Sequence, residues 1–274
     1  MPIEPLDVEA RLLIEAILAR YHYDFREYAF VSVKRRLGNA LSRFGFSSIS
    51  ELQGKVLRDP ALFSQLLDYL TVQVSDMFRD PPYFKALRTE VLPVLETYPS
   101  FKVWVAGCST GEEAYSIAIL LREAGLLSRA LIYATDINAR ALDQARLGVY
   151  SQDRVAGFAA NHAQSGGTVP FSEYYTAAYG NAVLDKSLRK HIVFADHSLS
   201  TDSVFAEVQF VSCRNVLIYF DRGLQDRALG LFADALAPRG FLGIGSRESL
   251  RFSRHAPRFE EVRRDERVFR KRPA

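Results

Sequence analysis

The stretch from Phe101 to Asp136 constrains the fold of this chain more than any other. A β-prone run, Lys102 to Ala106, meets the turn Gly107-Cys108-Ser109-Thr110-Gly111. A helical pattern follows over Glu112 to Ala124, then a second β-prone run, Leu131 to Thr135, which ends on Asp136. Strand, glycine turn, helix, strand and terminal acid describe one βαβ unit of a nucleoside-binding domain, in which the acid takes the ribose hydroxyls. Short β-rich runs continue to alternate with helices: strands are expected at Ile192 to Ala195, Val208 to Ser212 and Phe241 to Gly245, and helices at Ala139 to Leu147 and Leu224 to Leu236. Pro238-Arg239-Gly240 reads as the turn between the last helix and strand. This alternation is the signature of a doubly wound α/β domain.

The turn also discriminates between nucleoside ligands. A dinucleotide site would carry glycines spaced so that a diphosphate reaches the helix N-terminus. Here the middle glycine is missing, and Glu112 and Glu113 open the helix, where they favour the helix dipole but repel a diphosphate. S-adenosylmethionine (SAM) has no phosphate and does have an ammonium group that a glutamate can pair with. SAM is therefore favoured over a dinucleotide. Helix capping by Thr110 or Gly111 accounts for the acids alone but not for Asp136, which is also placed to cap the helix near Ala139.

Residues 7 to 70 have apolar positions at helical spacing, broken by turn signals at Gly45 to Ser50 and Asp59-Pro60. The reading is a helical domain over 1–72, a linker over 73–100 that contributes to the active site, and a SAM-binding domain over 101–274. The Gly-, Ser- and Tyr-rich stretch of about 150–190 is an inserted small β-subdomain. Val31 to Arg43 forms an amphipathic helix with Lys34, Arg35, Arg36 and Arg43 around an apolar stripe. A second basic cluster runs from Arg263 to Arg272, within a net charge of only +3. Such clusters are commonly solvated faces and become informative when the partner is acidic.

No apolar run approaches the ~20 residues needed to span a bilayer. The Met-Pro-Ile-Glu start lacks the pattern of a secretory leader, so a cytoplasmic protein is expected. Two cysteines, Cys108 and Cys213, make neither a disulfide framework nor a metal site. No metal is expected. Asp80-Pro81-Pro82-Tyr83 is similar to the catalytic tetrapeptide of DNA-amine methyltransferases, but no clear strand leads into it and a helix follows. Asp80 is better read as an N-cap with prolines in the first turn, and no nucleic-acid partner is expected.

Four stretches, Arg214-Asn215-Val216-Leu217-Ile218-Tyr219-Phe220, Ser109 to Ser116, Ala134-Thr135-Asp136-Ile137 and Met77-Phe78-Arg79-Asp80, resemble the signature segments of the CheR family, the chemotaxis receptor glutamate O-methyltransferases. The resemblance spans essentially the whole chain. It implies a Rossmann-like SAM-dependent methyltransferase domain behind an all-helical N-terminal domain, acting on the cytoplasmic signalling domains of chemoreceptors, with S-adenosyl-L-homocysteine as product. Carried over by position, it implies that Gln73, Ser75 and Arg79 approach the cofactor from the linker. Gly107 lies in the cofactor turn, Glu113 holds the methionine end, Asp136 the ribose, and Ser198 and Leu199 the adenine side. Arg214 and Asn215 line the pocket, and Arg79 and Tyr219 act on the acceptor. Lys34, Arg35, Arg36 and Arg43 then become a receptor-facing basic surface. Gln73, Ser75 and Ser198 depart from the commonest family residues, and Ser198 has the shorter reach. The insertion lacks the glycine spacing of members that grip a receptor pentapeptide, so a tether-independent enzyme is implied, and a monomer is expected.

Glutamate is ionised at neutral pH, its reference pKa being near ~4.3, so the reaction needs no general base. Arg79 would orient the carboxylate and Tyr219 would position it. The competing readings are a methyltransferase acting on another protein, a small molecule or a nucleic acid, and a SAM-sensing module without turnover.

Overall fold

The computed structural model describes residues 4–273; Met1 to Ile3, part of the start read as leaderless, lie outside them. Four helices come first: α1 (Pro5–Tyr21), α2 (Phe30–Phe44), α3 (Ile49–Val56) and α4 (Pro60–Leu70). Local chemistry sets their ends. Gly45 closes α2 at φ 74°, a conformation that suits glycine. Ser48 caps α3 by accepting from Glu51 N, and Glu51 reaches back to Ser47 N at 3.0 Å. Asp59 caps α4, with Pro60 at its first position. Leu13, Ile17, Val33, Leu37, Leu52 and Leu66 interleave as a separate core beneath these helices.

The chain then enters α5 (Pro81–Ala86), passes through a π-turn (Leu87–Val91) and α6 (Leu92–Leu95), and reaches the central sheet. The next elements are β1 (Phe101–Ala106), α7 (Glu112–Glu123), β2 (Ala130–Asp136) and α8 (Ala139–Leu147). The insertion follows, with β3 (Val149–Ser151), α9 (Gln152–Gln164), β4 (Tyr175–Ala178), β5 (Asn181–Leu184) and α10 (Lys186–Arg189). The sheet resumes with β6 (Ile192–Asp196), β7 (Val208–Cys213), α11 (Arg222–Ala235), β8 (Leu236–Ile244), β9 (Phe259–Arg263) and β10 (Val268–Lys271).

Seven strands form one sheet in the order β6-β2-β1-β7-β8-β10-β9, the first five parallel and β10 antiparallel to both β8 and β9. Helices cover both faces, and the apolar side chains form two clusters, one on each side. The strand order reverses between β1 and β7. A doubly wound sheet opens its ligand crevice at the carboxyl ends of the strands beside such a reversal.

Three local expectations need correction. Pro238-Arg239-Gly240 does not separate helix from strand: β8 begins at Leu236, and the tripeptide is an irregularity within it, where the register to β7 jumps between Val208 and Phe210 and Arg239 takes φ 64°. The basic run at the end is not merely a solvated face. It contains β10, whose Val268 and Phe269 are buried between the half-buried charges of Arg267 and Arg270. The insertion holds a three-stranded antiparallel sheet, β3-β5-β4, but its largest element is the helix α9, whose Val155, Phe158 and His162 pack inward.

Candidate active site

A cleft opens at the carboxyl ends of β1, β2 and β7, walled on one side by α2 and the segment after α4. It encloses about 860 Å³ with its mouth included, a size that admits a nucleoside. Its floor is the turn Gly107 to Gly111. Gly107 sits at φ 72°, and a β-carbon there would drive into the Val216 side chain. Gly111 sits at φ 94°, and a β-carbon would lie 2.9 Å from that of Ala145. Both positions require glycine for conformation and for space.

Asp136, at the end of β2, accepts from Ser109 N at 2.8 Å and from Asn138 N at 2.9 Å. Burial raises its pKa, against these backbone donors. It does not cap α8. Asn138 does, accepting from Arg140 N and Ala141 N, while its amide donates to Asp68 and Thr71.

The two glutamates of α7 separate. Glu113 faces the cleft, accepting from Ser212 Oγ at 2.7 Å and pairing with Arg214 at 3.0 Å. Glu112 turns inward, is fully buried, and pairs with Arg154 of α9 at 2.8 Å. Burial raises its pKa. Gly111 holds the N-cap position of α7, with no side chain to bond the first turn, and the Thr110 hydroxyl donates to the Glu112 carboxylate.

Gln73, Val74, Ser75 and Arg79, from the segment between α4 and α5, line one wall of the cleft. The Gln73 amide oxygen accepts from Ser109 Oγ at 2.6 Å, joining this segment to the glycine turn. Arg154 donates to the Ser75 carbonyl and pairs with Asp76 at 3.1 Å. Asp80 takes φ 58° and makes no side-chain cap for α5; its carboxylate pairs with Arg214 at 2.6 Å. Arg214 is thus a buried hub. It holds Glu113, Asp80 and the Arg79 carbonyl while its guanidinium lies 4.1 Å from the Tyr83 ring centroid. Burial pulls its pKa down, and the surrounding Glu113, Tyr83 and Asp80 raise it overall.

Phe78, Asp80, Ser109 and Asn215 all have φ between 50° and 60°. Non-glycine residues in that region are costly, at about 1–3 kcal/mol each, and cluster where surrounding structure holds them for a purpose. Two of the four line the cleft, and the other two bracket Arg79. Arg79 reaches the Val74 carbonyl at 3.3 Å and, among the described residues, no carboxylate within 4.0 Å. A structural ion pair does not occupy it.

Opposite stands Tyr219, in a short turn fastened to the helical domain. Ala29 N donates to Tyr219 O, and Asp221 N to Glu27 O, both at 2.9 Å. Over the Tyr219 ring, 4.5 Å from its centroid, lies the guanidinium of Arg36.

Gln73, Ser75, Arg79, Gly107, Glu113, Asp136, Leu199, Arg214, Asn215 and Tyr219 all line this one cleft. Ser198 does not: its hydroxyl bonds to Ser200 at 2.8 Å, and its neighbours His197 and Leu199 face the cleft instead. Arg36 does not belong with a receptor-facing surface. It is buried, donates to the Leu70 carbonyl, and has an Nη2 with no hydrogen-bond partner among the described residues. Burial lowers its pKa. The residue spacing carried this signal, since Arg36 falls at the centre of the stripe made by Val33, Leu37 and Ala40. Lys34 pairs with Glu4 and Asp7, while Arg35 and Arg43 point outward. Tyr28 and His197 are cleft residues with no motif to announce them. Among the described residues no helix is long and apolar enough to cross a membrane, and no three His, Cys, Asp or Glu residues gather as a metal site.

Sheet order, glycine turn and acid-ended second strand define a Rossmann-like methyltransferase domain beside a small all-helical one. Residues 73–268 match the SAM binding domain of CheR methyltransferase, and residues 9–71 match its all-alpha domain. The chain belongs to the CheR methyltransferase family. Among its relatives is the Pseudomonas putida protein Cher3, provisionally named a methyltransferase, 59% identical over 97% of both chains. The chemotaxis protein methyltransferase 1 of Vibrio cholerae is 31% identical over 80% of both chains. That of Listeria monocytogenes is 29% identical over 83% of this chain and 84% of its own. Of solved structures, the N-methyltransferase NodS of Bradyrhizobium japonicum covers 72% of this chain and 89% of its own at 16% identity, with a TM-score of 0.41.

Proposed function

We propose that this methyltransferase transfers the methyl group of SAM to glutamate side chains on the signalling domains of chemoreceptors. The observation that carries the reading is the cationic lining of the cleft: Arg79 without a carboxylate partner among the described residues, in the same cleft as Tyr219 and the buried Arg36 stacked on it. Buried guanidinium groups with an unused donor favour an anionic guest. A carboxylate is such a guest, and it needs no base to become a nucleophile. The relatives named as chemotaxis protein methyltransferases support the choice of receptor.

The residues fit the donor. Asp136 would take the ribose hydroxyls, Glu113 the ammonium, and Leu199 and His197 the adenine end, with Gly107 allowing backbone approach. Gln73, Ser75 and Asn215 would complete the wall, and Arg214 would hold Glu113 in place. When bound, SAM supplies an electrophilic methyl on a sulfonium. One carboxylate oxygen forms the ester bond as the carbon–sulfur bond breaks, and sulfur keeps the electron pair, leaving S-adenosyl-L-homocysteine. No proton is released. The chain's task is positioning: Arg79 and Arg36 orient the carboxylate, Tyr219 limits its approach, and the helical domain closes the cleft against water. Lys34, Arg35 and Arg43, at the outer edge of α2, would meet the receptor before its glutamate enters.

The test is incubation with methyl-labelled SAM and the receptors of the same cell. Label that enters a receptor and is released as methanol by mild alkali is the expected result. Label that resists alkali would mean an amide, amine or ether product and would overturn the reading.

A further inference from the structure

Two groups stand out among the C-terminal arginines. Arg254, Arg258 and Arg263 are committed to Asp226, Asp234 and Glu90 at 2.7–2.8 Å, and Arg272 reaches Glu260 at 4.0 Å. Arg251, Arg264 and Arg267 pair with no carboxylate among the described residues. They line a surface hollow with Ser249, Asp265 and Phe252. Phe252 is 80% exposed, a costly placement for a large aromatic, and Arg222 lies over its ring at 5.3 Å. Three unpaired cations and one acid around a displayed aromatic differ from a solvated face, where charges are interspersed and apolar rings are few.

The hollow is joined to the active site. The buried Glu248 carboxylate accepts from Gly245 N at 2.5 Å, Asn215 N at 3.1 Å and Ile218 N at 3.3 Å, which fixes the loop 245–252 to the turn carrying Tyr219. Arg222 follows Tyr219 by three residues. Burial raises the Glu248 pKa against these backbone donors. Through Glu248 the loop is tied to the turn whose Asn215, Val216 and Tyr219 line the cleft.

From this placement we infer that Arg251, Phe252, Arg264 and Arg267 form a second docking surface for the acceptor protein, taking an acidic segment with an apolar side chain set against Phe252. The inference rests on the reading that the acceptor is a protein carboxylate. Aromatic and arginine side chains are the residues that dominate contact energy at protein interfaces, and unpaired cations attract an acidic partner without internal cost. An acceptor that reaches the cleft past Tyr219 would then meet this hollow as well as α2, two points of attachment joined through the Glu248 network.

The experiment is steady-state methylation of a receptor signalling domain by the full chain and two variants, the double variant R251E/R264E and F252A, with SAM affinity measured on each. The expected result is an acceptor KM raised about tenfold or more in the double variant and severalfold in F252A, with kcat and SAM affinity within twofold of the parent. Added salt should raise the parent's KM more steeply than that of R251E/R264E, in which only the cations of α2 still attract the acceptor. An unchanged KM in both variants overturns the surface while the functional reading stands. Loss of oligonucleotide binding in the variants with unchanged KM would assign the hollow to nucleic acid and also overturn it. A parent that methylates no receptor sinks the functional reading, and this surface with it.

Discussion

The guanidinium of Arg36 lies 4.5 Å from the ring centroid of Tyr219, joining the helical domain to the turn after β7 in the SAM-binding domain. The two side chains come from elements 183 positions apart in sequence, and each is anchored independently. Arg36 is fixed by the Leu70 carbonyl, and Tyr219 by the bond from Ala29 N to its own carbonyl. This end of the cleft is therefore built across a domain boundary.

Arg36→Ala should separate binding from turnover. The substitution removes a buried donor and uncovers one face of Tyr219. We expect kcat/KM for the acceptor to fall roughly 10- to 100-fold, as for one or two lost charge-assisted hydrogen bonds, while SAM affinity changes less than threefold. Titration calorimetry beside kinetics makes the comparison. Weakened SAM binding with unchanged acceptor kinetics would contradict the placement.

Arg154→Ala tests the coupling of the insertion to the cofactor turn. Arg154 holds Glu112, Asp76 and the Ser75 carbonyl together, so its loss leaves Glu112 buried and unpaired. A destabilisation of about 1–3 kcal/mol is expected, with weaker SAM binding. Glu112→Gln in the same background should restore much of the stability, because it removes the stranded charge; urea denaturation of the three variants would show it.

Glu123 supplies a pH dependence. Burial acts to raise its carboxyl pKa, but hydrogen bonds and charge from His162 and Arg88 override this and hold it at about 2. A carboxylate whose folded pKa is depressed stabilises the fold above its unfolded pKa, near ~4.5, and loses that contribution as pH falls toward the folded value. Thermal stability should therefore drop between about pH 5 and pH 2, by on the order of 3 kcal/mol from this group. Glu123→Gln should be less stable at neutral pH and flatter below pH 5 in a series of melting curves.

Gly107→Ala should abolish SAM binding, because the new methyl group meets Val216 and φ 72° disfavours any side chain. Adding Val216→Ala removes the collision and leaves only the backbone strain of about 1–2 kcal/mol. The double variant should thus regain part of the affinity. No regain would mean that the turn itself, and not the collision, dominates.

Much of this was legible in sequence because it is local. The β1 to β2 unit, the two glycines and Asp136 announce themselves through propensity and spacing. What escaped depends on burial and long-range pairing. The cap of α8 falls to Asn138 rather than Asp136, and Asp80 holds the N-cap position of α5 without a side-chain bond to it, because a carboxylate near a helix start satisfies whichever donor tertiary structure brings closest: backbone amides for Asp136, Arg214 for Asp80. Ser198 was assigned by position, yet its short side chain finds Ser200 first. Arg36 was grouped by charge with its neighbours, although its place among Val33, Leu37 and Ala40 points inward. β10 hid in a basic run because two buried residues, Val268 and Phe269, are little signal among so many charges.

The central claim is that the methyl reaches a glutamate, and the most direct measurement is peptide mapping of a receptor signalling domain after reaction with SAM. The account predicts a mass gain of one methylene on glutamate side chains, absent with Arg79→Ala and reversed by mild alkali. A methyl found on lysine, arginine or a nucleic acid, with receptor glutamates unmodified, would contradict it.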